Sequence, residues 1–290
     1  MSSLAISTVV SPDKYAGFIP LFVYTASRVG FVQLYLRGPM PPYVQEALKH
    51  VNSKNYNIVE NAFKEYPNRV SVCNCLRYLV PEDDFSKFKY VYVTDVDFLM
   101  FPHKPTMERY YQKRMAESRG CFQTFRGTIR RPFRPRIGLW ENKFTRLAGG
   151  TVMLKHDWFK KTKAARNYYR HILKHGDHDD MDKIPSCSYR EYDEVMLFRI
   201  CLKSGLQTPT KRRVLVGGSR YNIEYRDIHL GDFDRKRIGK AKLRRMFLHA
   251  KNKAAFKLLE KEPKWQKCCE VVCENNKYVC DLLGKLRKYG

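Results

Sequence analysis

Three observations predict an α/β protein, a mixed sheet flanked by helices. Over the first hundred residues, β-rich runs alternate with segments of helical length, the pattern of strand–helix units. The run Tyr90-Val91-Tyr92-Val93-Thr94 is almost uninterrupted in apolar and β-forming residues, as expected of a strand covered on both faces. That run ends in Asp95-Val96-Asp97, two carboxylates at the edge where open α/β sheets bind ligands.

Residues 4–10 form the first predicted strand, followed by the turn Ser11-Pro12-Asp13-Lys14 and an apolar segment of helical length at 16–29. Residues 31–36 alternate like a strand, Pro41-Pro42 opens a helix to about residue 51, and 56–59 is a third strand. A helix at 70–79 is stopped by Pro81 before the 90–94 strand. Beyond it come a basic, proline-punctuated loop (126–143), a strand (151–154), a basic amphipathic helix (156–173), a polar loop rich in His and Asp (174–188) and a short helix (191–203). Candidate strands at 214–216 and 228–230 precede a basic helical tract in which Pro263 separates two helices. This predicts a main domain over 1–235 and a basic helical C-terminal extension over 236–290.

Composition limits the function classes. The chain has 290 residues, 55 Lys plus Arg against 29 Asp plus Glu, and a formal charge of +26. With 43% hydrophobic and 13% aromatic residues it has enough apolar surface for a core, which excludes a disordered basic arm. The longest apolar stretch near the N-terminus, 18–26, is broken by Ser27 and Arg28 and falls far short of the roughly 20 residues of a membrane span. Residues 1–11 lack a basic n-region and read as a strand rather than a signal peptide, so a cytoplasmic location is expected. Nine cysteines is an odd number, and neither Cys73/Cys75 nor Cys268/Cys269 has zinc-ribbon or thioredoxin-like spacing. Reduced core thiols are expected, with Cys268, Cys269, Cys273 and Cys280 reading as helix packing or, alternatively, as a metal or lipid site.

Strong positive charge fits a nucleic-acid partner, an anionic membrane surface or phosphorylated small molecules. The sequence carries no helix-turn-helix, zinc-finger or RNP signature, so nucleic acid is the disfavoured partner. Asp95 and Asp97 supply hard oxygen ligands suited to Mn²⁺ or Mg²⁺, which keep coordination positions for phosphate oxygens; the alternative is a turn cap. His229, on a short apolar run before Gly231, is a competent third ligand. Gly149 and Gly150 remove side chains where a backbone approaches another group, or mark a tight turn. Asp193 and Glu194 open a helix, either as a pair favoured by the helix dipole or as carboxylates facing a substrate. Arg77 pairs with a diphosphate or faces solvent, and Tyr15 stacks on a nucleobase or joins the core; Thr8 on the first strand is placed with them at the nucleotide.

Several segments in order resemble the GT-A type of nucleotide-sugar-dependent glycosyltransferase, most like the glycogenin and lipopolysaccharide galactosyltransferase group. Arg77-Tyr78-Leu79-Val80-Pro81 followed by Phe88-Lys89-Tyr90-Val91-Tyr92-Val93-Thr94-Asp95-Val96-Asp97 looks like their basic helix and D-x-D strand. Ala148-Gly149-Gly150-Thr151-Val152-Met153-Leu154 resembles their N-A-G-hydrophobic segment, with Leu147 where Asn is usual. Tyr192-Asp193-Glu194-Val195-Met196-Leu197 is similar to their D-Q-D helix start, and Ile228-His229-Leu230-Gly231 to their late His- and Gly-containing metal segment. Their following Lys-Pro-Trp is replaced by Asp232-Phe233-Asp234-Arg235-Lys236. The resemblance spans about 4–235 and implies a GT-A (Rossmann-like) catalytic domain.

The activity it implies is metal-dependent hexosyl or pentosyl transfer, with retention, from a nucleoside-diphosphate sugar, expected to be a UDP-sugar. The acceptor would be a glycan, lipid-linked or protein hydroxyl. By the same resemblance Asp95, Asp97 and His229 would hold Mn²⁺ or Mg²⁺, and Thr8, Tyr15, Arg77, Asp95, Gly149 and Gly150 would contact the donor. Asp193 and Glu194 would be the catalytic carboxylates. The basic C-terminal helices, with Leu, Phe and Trp265 interleaved, suggest peripheral contact with an anionic membrane or a solvated face. A metal-dependent nucleotidyl or phosphoryl transferase would also use Asp-x-Asp carboxylates, but no P-loop follows the first strand.

Overall fold

The structure, a computed structural model, describes residues 3–102, 104–124, 129–130, 146–147, 150–175, 192–206, 228–233 and 250–289. Strands β1 (Leu4–Val10), β2 (Phe31–Leu36), β3 (Tyr56–Val59), β4 (Tyr90–Val93), β6 (Phe122–Thr124) and β9 (Thr151–Leu154) form a mixed sheet in the order β3-β2-β1-β4-β9-β6. Two short ladders pair β5 (Phe98–Leu99) with β10 (Ile228–His229) and β7 (Ile129–Arg130) with β8 (Arg146–Leu147). The predicted α/β class is the observed one. Two compact units interleave along the chain, one made of 1–9, 63–94 and 108–221, the other of 10–62, 95–107 and 222–290.

In the first unit β1 and β4 are parallel, from Leu4↔Tyr90 to Ser7↔Val93, and β9 runs antiparallel to both β4 and β6. All four residues of β4 are buried, as its unbroken apolar run requires. Helix α3 (Val70–Leu76) ends sooner than the sequence suggests. Pro81 disfavours helical backbone at the preceding residue, and the carbonyls that follow α3 find other donors. These donors sit on α5 (Lys155–His175): Arg166 donates to Tyr78 O (3.1 Å) and Val80 O, and Arg170 to Leu79 O (2.6 Å). Part of the positive charge of this basic helix is therefore spent inside the protein. Its apolar face buries Trp158 and Phe159 against Phe122 and Phe85, at ring separations of 5.4 and 6.0 Å.

In the second unit β2 and β3 pair in parallel, from Val32↔Tyr56 to Tyr35↔Val59. Helix α1 (Phe18–Ala26) is apolar all round and all nine residues are buried; Pro20 is tolerated because it lies in the first turn, where backbone N–H groups have no helical acceptor. Helix α2 (Pro42–Leu48) opens with proline at its first position, and residues 49–51 continue it only as i→i−3 turns.

The C-terminal part of this unit holds α7 (Ala250–Leu259), α8 (Pro263–Asn275) and α9 (Lys277–Tyr289). Pro263 starts α8 rather than merely separating two helices. Buried residues Phe256, Leu259, Trp265, Cys268, Val272, Val279, Leu282, Leu283 and Leu286 turn the apolar sides of these helices into the protein. Helix α8 packs on α1 and α2, and α9 packs on α8 and on the 3₁₀ segments Lys14–Gly17 and Leu230–Phe233. The interleaved apolar residues that suggested bilayer docking are thus engaged with this unit's own helices, leaving Leu258 as the exposed large apolar side chain of the tract among the described residues. No helix among the described residues is long and apolar enough to cross a membrane.

Two side chains tie α8 to α1. Glu262, the residue before α8, accepts from Tyr24 OH (2.9 Å) and Arg28 Nη1 (2.8 Å), and Trp265 meets the Tyr24 ring edge-on at 5.3 Å. The described cysteines are free thiols. Burial pushes Cys268 up to about 12, so it is protonated and a poor ligand or nucleophile. Most of the 126–143 loop, most of the 174–188 loop and the 214–216 strand lie outside the described residues.

Candidate metal centre and active-site residues

The Asp-x-Asp pair lies where β4 gives way to a turn. Thr94 N still donates to Ser7 O (3.1 Å), after which Val96 and Asp97 make the turn into β5. Strand β5 pairs antiparallel with β10, Leu99 opposite Ile228 and Phe98 opposite His229. Leu230 N donates to Asp97 O (2.7 Å), closing the ladder beside the carboxylate. The exit of β5 is anchored on α1, where Met100 N donates to Thr25 Oγ1 (3.1 Å). The predicted strand at 228–230 is two residues long and passes into the 3₁₀ segment Leu230–Phe233.

This ladder brings together residues distant in sequence. Asp95, Asp97 and His229 each offer a ligand atom, all within 4.8 Å of one another. His229 Nε2 lies 3.0 Å from Asp97 Oδ2, and its ring stacks on Phe98 at 4.5 Å and 14°. Asp97 is buried; Asp95 and His229 are half-buried. The second Asp97 oxygen, Oδ1, is buried with no hydrogen-bond partner among the described residues. An unsatisfied buried carboxylate oxygen is costly unless something binds it.

Gly231 completes the arrangement. A Cβ there would run into Asp97 Oδ2 and lie 3.3 Å from His229 Nε2, so only glycine leaves the ligand atoms clear. Two carboxylates and an imidazole, one oxygen orphaned and no side chain in the way, fit a divalent cation of the Mn²⁺ or Mg²⁺ class.

In the first unit, two residues singled out separately in the sequence meet each other. Arg77, just past α3, forms an ion pair with Asp193 in the first turn of α6 (Tyr192–Lys203), their side chains only 6% and 5% exposed. Arg77 therefore does not simply face solvent, and Asp193 is more than a helix-dipole charge. Glu194, its neighbour, is half-buried. Gly150 directly precedes β9 and is half-buried, while Gly149 lies outside the described residues. Thr8 is buried within β1.

Tyr15 lies in the second unit, on the 3₁₀ segment after β1. Its N–H donates to Asp13 Oδ1 (2.8 Å), and its ring packs near Phe18 (5.7 Å) and Tyr278 (6.4 Å).

Sequence reasoning passed over Ser7 and Thr124. Ladder register places Ser7, Val93, Thr151 and Thr124 in one row across β1, β4, β9 and β6, and the Ser7 and Thr124 hydroxyls are buried without a hydrogen-bond partner among the described residues. Their only sequence signal is a hydroxyl inside an apolar strand. Tyr278 was also passed over, because an aromatic early in an amphipathic helix reads as core.

No family model matches the sequence, and no curated protein does. Among solved structures, the galactosyltransferase LgtC in complex with donor and acceptor sugar analogues is similar over 71% of this chain and 72% of that chain, with 11% identity and a TM-score of 0.39. An active-site mutant of LgtC is similar over 71% of each chain, with 10% identity and a TM-score of 0.40.

Proposed function

We propose that this chain is a metal-dependent glycosyltransferase that moves a hexosyl or pentosyl group from a nucleoside-diphosphate sugar to a hydroxyl acceptor. The observation that carries the reading is the convergence of Asp95, Asp97 and His229 around an unsatisfied Asp97 oxygen, beside a glycine that keeps the ligand atoms clear. A diphosphate does not approach two carboxylates unless a cation lies between them. Mn²⁺ or Mg²⁺, when bound, offsets the charge that develops on the departing diphosphate. The donor most in keeping with the sequence pattern is a UDP-sugar, and the acceptor a glycan, lipid-linked or protein hydroxyl.

The chain's own residues have separable tasks in this reading. Asp95, Asp97 and His229 hold the cation. Tyr15 and Thr8 contact the nucleotide, and Gly150 lets the backbone approach the donor closely. Asp193, oriented by Arg77, and Glu194 position sugar hydroxyls. A carboxylate tied into a buried ion pair is a poor recipient for the acceptor proton, which supports front-face attack with retention over a base-assisted inversion. The oxocarbenium-like character of glycosyl transfer leaves the protein mainly with stabilising the leaving group and placing the acceptor.

Thermal-shift screening of nucleotide sugars with and without Mn²⁺, followed by turnover assays on those that stabilise, tests the reading. Stabilisation by one or a few nucleotide sugars only in the presence of Mn²⁺ is expected. Stabilisation by nucleoside triphosphates instead, with pyrophosphate released on turnover, would replace it with nucleotidyl transfer.

A further inference from the structure

The turn between α8 and α9 is built on Asn276. Its N–H donates to Val272 O (2.8 Å), closing α8, while its side-chain Oδ1 accepts from Val279 N (3.0 Å), capping α9. Its Nδ2 donates to the Tyr43 hydroxyl on α2 (3.3 Å). This turn lies directly on the 3₁₀ segment that carries Tyr15: a Cβ at Gly17 would run into the Asn276 side-chain amide and stand 3.0 Å from Val279 Cγ2. Tyr278 meets Tyr15 edge-on at 6.4 Å and 67° and Phe18 at 6.0 Å and 84°.

Further along the same helix, Lys285 Nζ donates to Phe233 O (3.5 Å), at the end of the 3₁₀ segment that follows His229. One helix thus touches both the segment bearing Tyr15 and the segment bearing Gly231, which follows His229.

We propose that α9 is a positioning helix for the nucleotide donor, with Tyr278 as the positioning residue that fixes the Tyr15 ring. This rests on the reading that Tyr15 contacts the base. A tyrosine ring ordered before the ligand arrives does not have to be immobilised on binding, so pre-ordering strengthens affinity without adding a contact. The C-terminal helices, which by composition look like a separable extension, are on this account part of the donor site.

Calorimetry on the full chain tests it, with UDP in the presence of Mn²⁺ and with Mn²⁺ alone as probes. Tyr278→Ala is expected to raise the Kd for UDP by roughly tenfold, as for one freed side chain, and to leave the affinity for Mn²⁺ alone unchanged. Tyr278→Phe, which keeps the ring, is expected to bind UDP like the wild type. Tyr15→Ala is expected to weaken UDP binding at least as much, with the double variant no weaker than Tyr15→Ala, because residues acting through one another are not additive. If Tyr278→Ala does not fold, Tyr278→Leu keeps the apolar bulk and takes its place.

Additive losses, or wild-type UDP affinity in the Tyr278 variant while Tyr15→Ala is weakened, overturn the positioning role and leave the donor reading intact. Wild-type affinity in Tyr15→Ala overturns the base contact and the proposal with it. A wild-type chain that binds Mn²⁺ but no nucleoside diphosphate overturns the donor reading itself.

Discussion

His229 Nε2 stands 3.0 Å from Asp97 Oδ2, while the other oxygen of the same carboxylate is buried with no hydrogen-bond partner among the described residues. The two oxygens of this carboxylate thus differ in their surroundings, one facing the imidazole and the other orphaned, and the orphaned oxygen is what a bound cation would satisfy.

Asp97→Asn should abolish high-affinity Mn²⁺ binding, a loss of more than about 100-fold, since even outer-shell changes at metal sites cost about 10–100-fold. The amide is nearly isosteric, so far-UV circular dichroism should be unchanged. Mn²⁺ titration followed by electron paramagnetic resonance is the measurement, and undiminished affinity would sink the metal assignment. EDTA should stop turnover and Mn²⁺ or Mg²⁺ restore it.

Gly231→Ala puts a methyl group against Asp97 Oδ2. Relief requires the 3₁₀ segment or the carboxylate to shift, at a cost of about 1–3 kcal/mol for an overpacked site. The expected outcome is a lower melting temperature together with weaker Mn²⁺ binding. A variant that loses stability but binds Mn²⁺ normally would show that the glycine serves the backbone alone.

Removing Arg77 takes the ion-pair partner from the buried Asp193 carboxylate. Arg77→Met should therefore destabilise the chain by about 3–5 kcal/mol in urea unfolding. Replacing both, as Arg77→Met with Asp193→Leu, should recover most of that stability because apolar pairs of similar volume replace buried ion pairs well. If the pair also orients the donor sugar, the double variant will be stable and inactive; restored activity would make the pair purely structural.

The Glu262 network makes a pH prediction with a definite sign. Its hydrogen bond from Arg28 holds the Glu262 carboxyl below its ordinary value, with Tyr24 adding to the effect. A depressed carboxyl stabilises the fold above its unfolded value, about 4.3, and that contribution is lost as pH falls through the folded value. At the alkaline end, burial and then the bond to Glu262 raise Tyr24 to about 12, so its contribution is full below about 10 and disappears as pH rises toward 12. Melting temperature against pH should show Glu262→Gln closing on the wild type at acid pH, with a difference at neutral pH of about 0.2–1 kcal/mol, as for partly exposed pairs. A constant difference from pH 3 to 8 would contradict the linkage.

What could be read in advance follows from the range of the interactions. Asp95 and Asp97 were legible because their signal is local, an apolar run that stops in charge. His229 was legible as a residue type, but its approach to Asp97 depends on a ladder two residues long, too short to leave a pattern. Arg77 was legible as a diphosphate-pairing or solvent-facing charge and Asp193 as a helix-dipole or substrate-facing carboxylate, but nothing local announces that their two helices pack and bury them together.

The amphipathicity of the last helices was plain in the sequence, but an apolar stripe serves a bilayer or a neighbouring helix equally well, and only packing on α1 and α2 chose the second. The chain by itself determined the α/β class, the strand that ends in Asp-x-Asp and the apolar faces, all consequences of covalent neighbours within a few residues. Tertiary structure decided which distant groups meet: His229 with Asp97, Arg77 with Asp193, Tyr278 with Tyr15. Such pairs form when separate buried faces find each other, and hydrophobic burial, being non-directional, writes no code for the partner.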